Sequence, residues 1–287
     1  MIYNIDGNAI SSVFDKTAIQ LNCAYDINGV VVFTDTIPWE DEISVQKLRD
    51  TASNTNYYVI RIPQIRDGGQ KQYPFVYVPN GTGAGTQSTL SMNREKGFFL
   101  AINAGVFYAE AGKNPVGVTI ENSVLIQQDA VSHLYALTID EDGVLDYDTS
   151  DADGQALIAS GIVSALVGFC PIIVNGQGVD SSIYMATSNY NKHAQRQIIG
   201  QFSNGDYCIV TGEGRSFDDS SGFTIPEAIS VCEELGLEFA YNLDGGGSTE
   251  TVIGDTQINT IYEGTSGRIV PSFIVFNGTD EFFIPNA

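Results

Sequence analysis

The sequence predicts an α+β domain: strand-rich mixed sheets, few flanking helices, one main domain. Three observations predict it. Short runs of β-branched and aromatic residues recur along most of the chain, as at Tyr57–Pro63, Arg196–Phe202 and Tyr207–Thr211. Pairs that close tight turns stand between such runs, among them Asp67-Gly68, Asp142-Gly143 and Asn204-Gly205. Helical signals are sparse, and the clearest covers Ile225–Leu235.

Taken in order, residues 1–40 differ from the rest. An eleven-residue unit starts at Tyr3, Phe14 and Tyr25, each copy running from an aromatic through Asn or Asp and a turn to an aliphatic end. The unit is too short to bury a core alone. It is read as an attachment or oligomerisation arm, for a second copy or another partner, or as a β-meander packed on the main domain at 41–287. A helix is expected over roughly 42–52. Tyr57–Pro63 and Gln72–Pro79 read as a hairpin around Asp67-Gly68-Gly69, followed by a Gly/Thr-rich loop at Asn80–Thr86. Phe98–Tyr108 contains a buried strand. Val116–Ile120 and Val124–Gln127 form a hairpin, and His133–Ile139 is a strand closed by Glu141-Asp142-Gly143. Residues 155–168 fit a helix or a buried strand. Ile172–Asn175, Arg196–Phe202 and Tyr207–Thr211 are strands. Helix Ile225–Leu235 carries its own boundaries: Thr224 as N-cap, Pro226 in the first turn, Glu227 completing a capping box and Gly236 as terminator. Phe239–Leu243 and Ile269–Phe276 are the last strands.

Composition excludes some partners. The 287 residues carry a formal charge of −22, so nucleic acid and anionic membranes are disfavoured at long range. No apolar run approaches 18 residues, and residues 1–10 lack the basic and apolar regions of a signal peptide. Cys23, Cys170, Cys208 and Cys232 lack metal-ligand spacing and are read as reduced and mostly buried. His133 and His193 are too far apart in sequence to suggest a histidine metal site.

The most informative stretch is Tyr241-Asn-Leu-Asp244-Gly-Gly-Gly-Ser248-Thr. A strand ends in a carboxylate, and Gly245, Gly246 and Gly247 follow. Glycines let a ligand approach the main chain, and bare N–H groups can form an anion-binding nest. It is not a nucleotide P-loop, which needs Lys after its last Gly. Such a turn suits a polar, phosphorylated or glycosidic substrate. Asp244 can instead bind its own backbone as a turn residue.

Four further segments accompany it: Asn103-Ala-Gly105-Val-Phe with Pro115-Val-Gly-Val; Arg196-Gln-Ile-Ile-Gly; Gly214-Arg215-Ser216 through Ser221-Gly222-Phe-Thr-Ile-Pro-Glu227; and Arg268-Ile-Val. This order and spacing resembles the phosphodiester glycosidase family over roughly residues 55–277. The resemblance implies a hydrolase that removes a sugar, such as N-acetylglucosamine, from a sugar 1-phosphodiester. It implies Asp244 and Glu227 as nucleophile, acid or base, in an order left open, with Arg196 beside them. Arg196 and Arg215 would hold the phosphate. Asn103, Gly105, Gly245, Gly246, Gly247, Ser248 and Arg268 would bind or orient substrate. No cofactor is required; a divalent cation on Asp218, Asp219 and Asp244 is an alternative that is not expected.

The residue types fit that chemistry. Carboxylates flank an oxocarbenium-like transition state. Arginine grips phosphate with a bidentate fork. Three of only seven arginines fall in these segments. Other roles stay open: capping acid for Glu227, ion pairs for Arg196 and Arg215, backbone contacts for Asn103, and a surface-loop residue or proton shuttle for His193. The chain departs from the family at Gln195, where Pro is usual, and at Glu250, which would alter the pocket floor. The arm resembles the start of tail or baseplate proteins of bacterial viruses. That implies virion association and a phosphodiester-linked cell-surface glycan as substrate. A non-enzymatic glycan-binding virion protein is the rival, and cleavage at P–O instead of C–O is a third reading.

Overall fold

The computed structural model describes residues 44–276, apart from 65–70, 82–86, 109–113, 188, 216–218 and 263–266. It also describes the backbone of four N-terminal strands. These are β1 (Ile2–Asn4), β2 (Ala9–Ile10), β3 (Cys23–Ile27) and β4 (Val30–Thr34). β1 pairs with β2 and β3 with β4, so two copies of the repeat are hairpins; the middle copy lies outside the described residues.

The next strands are β5 (Ser44–Asp50), β6 (Thr55–Ile62), β7 (Phe75–Tyr77), β8 (Leu100–Asn103), β9 (Thr119–Glu121), β10 (Val124–Gln127), β11 (Tyr135–Asp140), β12 (Leu145–Thr149), β13 (Ile162–Val167) and β14 (Cys170–Val174). They continue with β15 (Gln177–Gly178), β16 (Arg196–Gln201), β17 (Tyr207–Gly212), β18 (Phe239–Asn242), β19 (Thr251–Ile253), β20 (Thr256–Gln257) and β21 (Phe273–Phe276). Four α-helices are described: α1 (Thr89–Lys96), α2 (Gly154–Ala159), α3 (Ser181–Met185) and α4 (Ile225–Glu234).

The strands form a nine-stranded sheet ordered β15-β14-β18-β16-β17-β6-β5-β1-β2, two five-stranded sheets and the β3–β4 ribbon. The five-stranded sheets run β10-β9-β13-β11-β12 and β20-β19-β8-β21-β7. The fold is α+β, as expected. The centre of the large sheet is apolar on both faces, and β16 and β17 are buried along their whole length. One face packs Ile198, Cys208, Val210 and Ala240 against Ile225, Ala228, Val231 and Cys232 of α4. The other packs Ile60, Ile199, Ile209 and Tyr241 against Leu100, Ile102, Leu137 and Ile274 of the two smaller sheets. Cys170, Cys208 and Cys232 are free thiols in this interior, while the Cys23 side chain lies outside the described residues.

Helix α4 carries the expected caps. Thr224 and Glu227 form a reciprocal capping box, and Gly236 takes a left-handed φ of 74°. The tight hairpin at Asn204-Gly205 is also present, with Gln201 paired to Tyr207. Residues 155–168 contain both of the alternatives, α2 and then β13.

Two expectations are corrected. The helix placed at 42–52 is strand β5, paired with β6 from Ser44↔Arg61 to Asp50↔Thr55. Val45 and Leu48 bury themselves on opposite faces of the sheet, so pairing overrides helix propensity. The Tyr57–Pro63 and Gln72–Pro79 segments do not form one hairpin. β6 lies between β5 and β17, whereas β7 pairs with β21 in another sheet. The intervening Asp67-Gly68-Gly69 lies outside the described residues.

Candidate active site

The site is built where β18 runs out into the glycine turn. Three hydrogen bonds to the main chain fix the residue that carries its carboxylate. The Leu243 N–H donates to Gln197 O over 2.9 Å, and the Asp244 N–H donates to Ala104 O over 2.9 Å. Asn103 Nδ2 donates to Asp244 O over 2.8 Å. The other end of that amide, Oδ1, accepts the Glu250 N–H at 3.0 Å. Asn103 is fully buried and clamps the turn at both ends. Gly105 serves the same junction. Its N–H donates to Ser272 Oγ over 3.1 Å, and a Cβ there would lie 3.0 Å from Val167 O. Neither residue lines the cleft.

The glycines are required by crowding more than by an open nest. A Cβ on Gly245 would meet Gln195 O at 2.7 Å, and Gly246 has a φ of +59°. Gly245 N–H is already spent on Asp244 Oδ1 at 2.9 Å, and Gly246 N–H on Gln195 O at 2.8 Å. Among the described residues, Gly247 alone of the three keeps its N–H for a ligand.

A cleft of about 440 Å³ opens over this turn. Phe169, Asn189, Lys192, His193, Ala194, Arg196, Arg215, Asp244, the three glycines and Arg268 line it. It therefore gathers Asp244, Arg196, Arg215, Gly245, Gly246, Gly247 and Arg268 from the expected set. Ser248 sits just beneath. Its Oγ accepts from Arg268 Nη1 at 3.2 Å and hydrogen-bonds the Asp244 carboxyl.

Burial pushes the Asp244 carboxyl up to about 6, against the opposing pull of Ser248, the Gly245 N–H and the Arg268 charge. Arg196 is nearly buried on β16. Its Nε donates to Phe223 O at 2.9 Å, and Nη2 donates to Asn189 O and Lys192 O at 3.0 and 2.9 Å. These bonds hold the 189–192 loop over the cleft. Nη1 has no hydrogen bond among the described residues and is the nitrogen left for a ligand. Burial lowers this guanidinium to about 10, and it stays charged at neutral pH. Arg215 is exposed, with a φ of 60°, and its guanidinium stacks 3.7 Å from the ring centroid of Tyr262.

Glu227 stands outside the cleft lining. Oε2 accepts from the Thr224 N–H and Thr224 Oγ1, both at 2.8 Å, and Oε1 lies 3.2 Å from His193 Nε2. It meets the cleft through His193. Glu250 does not form the pocket floor. It is buried, and its carboxylate accepts the Thr89 and Leu90 N–H groups at the start of α1. Ser216 and Asp218 lie outside the described residues; Asp219 O accepts from Asn54 Nδ2 at 3.0 Å. No cluster of three His, Cys, Asp or Glu suited to a metal occurs among the described residues.

Phe169, Asn189 and Lys192 were not legible as site residues. Phe169 follows a glycine between two strands and looks like core. Lys192 lies only four positions before Arg196, and that proximity was the available signal.

A family model described as phosphodiester glycosidase matches residues 96–277. The chain belongs to the phosphodiester glycosidase family. Asp244 and its glycine turn, Arg196, Arg215 and Arg268 all fall within the matched span. The SPbeta prophage-derived uncharacterized protein YomE of Bacillus subtilis (strain 168) is 27% identical over 249 residues, covering 81% of this chain. The chain spans 38% of that relative's length. Among solved structures, the fold is similar to the zebrafish N-acetylglucosamine-1-phosphodiester alpha-N-acetylglucosaminidase catalytic domain auto-inhibited by its pro-peptide. The TM-score is 0.63 at 14% identity, over 82% of each chain. It is also similar to a hypothetical protein from Synechocystis, with a TM-score of 0.64 at 15% identity, over 83% of this chain and 63% of that one. A phosphodiester glycosidase joins a sugar site to an anion site, and this cleft has an acid beside cations.

Proposed function

We propose that this chain hydrolyses the glycosidic bond of a sugar 1-phosphodiester, cutting C–O and releasing free sugar and a phosphate ester. One observation carries the reading: Asp244 shares a single cleft with Arg196, Arg215, Arg268 and Lys192 in a chain of net charge −22. Against that global charge, four cations at one acid make a local attraction for a phosphodiester. The departing phosphate is a weak base, so arginine contacts stabilise it as the C–O bond breaks. Phe169 offers an apolar wall for a sugar face. Asp244 is the carboxylate at the reacting centre. With its proton held to about pH 6, it is poised for acid–base or nucleophilic work near neutrality.

The sugar is read as N-acetylglucosamine-like, on a phosphodiester-linked bacterial surface glycan. The prophage origin in the relative's name supports a viral setting, with residues 1–40 as an attachment arm to a virion or second copy. A partner nucleic acid or anionic membrane remains disfavoured by charge. No described helix is long and apolar enough to cross a membrane.

The test is incubation with UDP-N-acetylglucosamine and a panel of sugar phosphodiesters in oxygen-18 water, beside Asp244→Asn. Labelled sugar with unlabelled UDP, lost in the variant, is the expected result. Label on phosphate would mean P–O cleavage. Glycan binding without turnover across the panel would replace the proposal with a structural, glycan-binding role.

A further inference from the structure

We propose that His193 is the base that activates water in this cleft, and that Glu227 is the positioning residue that sets its tautomer. This rests on the glycosidase reading above and deepens it. The geometry is a carboxylate–imidazole pair opening onto a cleft. Glu227 is anchored by its two bonds to Thr224 at the start of α4, and its second oxygen lies 3.2 Å from His193 Nε2. An ionised carboxylate only accepts hydrogen bonds, so the proton of a neutral imidazole sits on Nε2. Nδ1 is then the lone-pair nitrogen. It has no hydrogen bond among the described residues, and His193 lines the cleft with Asp244. The same logic operates wherever a carboxylate orients a histidine base.

The surroundings favour this division of labour. Lys192 from the same loop, Arg196 from β16, and Arg215 and Arg268 across the cleft are positive. The charged groups that face the imidazole are these four cations and the carboxylates of Glu227 and Asp244. Among the described residues that line the cleft, Asp244 is the carboxylate and His193 the second group able to take a proton. Glu227 Oε2 is held by the cap, and Oε1 faces His193.

The step balances. As the water oxygen bonds to C1, its proton passes to His193 Nδ1. The electron pair of the C1–O bond leaves with the phosphate oxygen, which the arginines face. The imidazolium, opposed by the Glu227 carboxylate, then returns its proton to solvent. If Asp244 first forms a glycosyl intermediate, the same water activation releases it.

The experiment measures kcat and KM from pH 4.5 to 9 on the phosphodiester substrate that the intact chain turns over. Variants are His193→Ala and Glu227→Gln, the latter because Gln preserves the capping box. The His193 side chain is half exposed, so folding should survive, with melting temperature as the check. The expected result is a kcat loss of about 10²–10⁴-fold in His193→Ala with little change in KM. Azide should restore turnover and yield a glycosyl azide. Glu227→Gln should lower kcat less, with little change in KM, and its loss too should yield to azide. Unchanged kcat and pH profile in His193→Ala overturns the proposal, as does a loss that azide leaves unrescued or that appears in KM alone. No turnover by the intact chain on any panel substrate removes the glycosidase reading first, and this inference with it.

Discussion

At the level of single residues, Asp244 trades stability for chemistry. A carboxyl raised from its ordinary value to about 6 binds its proton more tightly folded than unfolded. Well below the ordinary value of 3.8 both states are protonated and ionisation costs nothing. Between there and about 6 the unfolded chain has ionised while the folded chain still holds its proton, so the cost grows with pH across that window. Above that window the penalty is complete, about 2 kcal/mol once its opening to the cleft is allowed for. Asp244→Asn should therefore raise Tm at pH 8 by roughly 4–8 °C, and the gain should all but vanish at about pH 3, below the unfolded pKa. Scanning calorimetry at both values decides it; a lower Tm for the variant at pH 8 would show that the ionised form is the one the fold prefers.

Elements explain what the sequence could and could not disclose. The α4 capping box is local: Thr224, Pro226, Glu227 and Gly236 lie within one helix, so its boundaries were readable. Strand β5 was misread because its partner lies across a turn, where pairing outweighs propensity. Helix α1 was missed altogether. Its caps, Ser88 and left-handed Gly97, were visible, but the helix has little apolar periodicity to betray it. The clamp made by Asn103 was legible only as a motif. Its two contacts are to the backbone of residues more than a hundred positions away, and no local pattern encodes such a distance. Asn103→Ala would strand Asp244 O and the Glu250 N–H, both beside buried groups. Denaturant unfolding should register a loss of about 2–4 kcal/mol, and kcat should fall about tenfold or more because the acid is displaced. Stability within about 0.5 kcal/mol of the parent would remove the clamp from the account.

For the molecule as a whole, charge sets the terms of encounter. Net −22 repels a phosphorylated substrate at a distance, and the four cations capture it only nearby. Such opposed fields respond to salt differently: a Debye length shrinking from roughly 20 Å to 8 Å screens the far repulsion first and the cleft attraction less. From about 0.02 to 0.15 M salt, kcat/KM for a phosphodiester should rise or hold, then decline as salt approaches about 1 M. A monotonic fall from the lowest salt would mean that attraction dominates at every range. The acidic composition announced the repulsion, and the three arginines of the motif segments announced the cationic cleft; Lys192 joined them only when the 189–192 loop was brought over β16 in space.

The stitching of Asp244 to Asn103 crosses a boundary between sheets. Asp244 extends a strand of the nine-stranded sheet, and Asn103 closes β8 of a five-stranded one. Neither sheet alone holds the acid in place. Such non-local closure is what makes β-rich chains slow to finish. The core that joins the large sheet to the smaller ones and the placement of the acid are therefore completed by the same event, the docking of sheet on sheet.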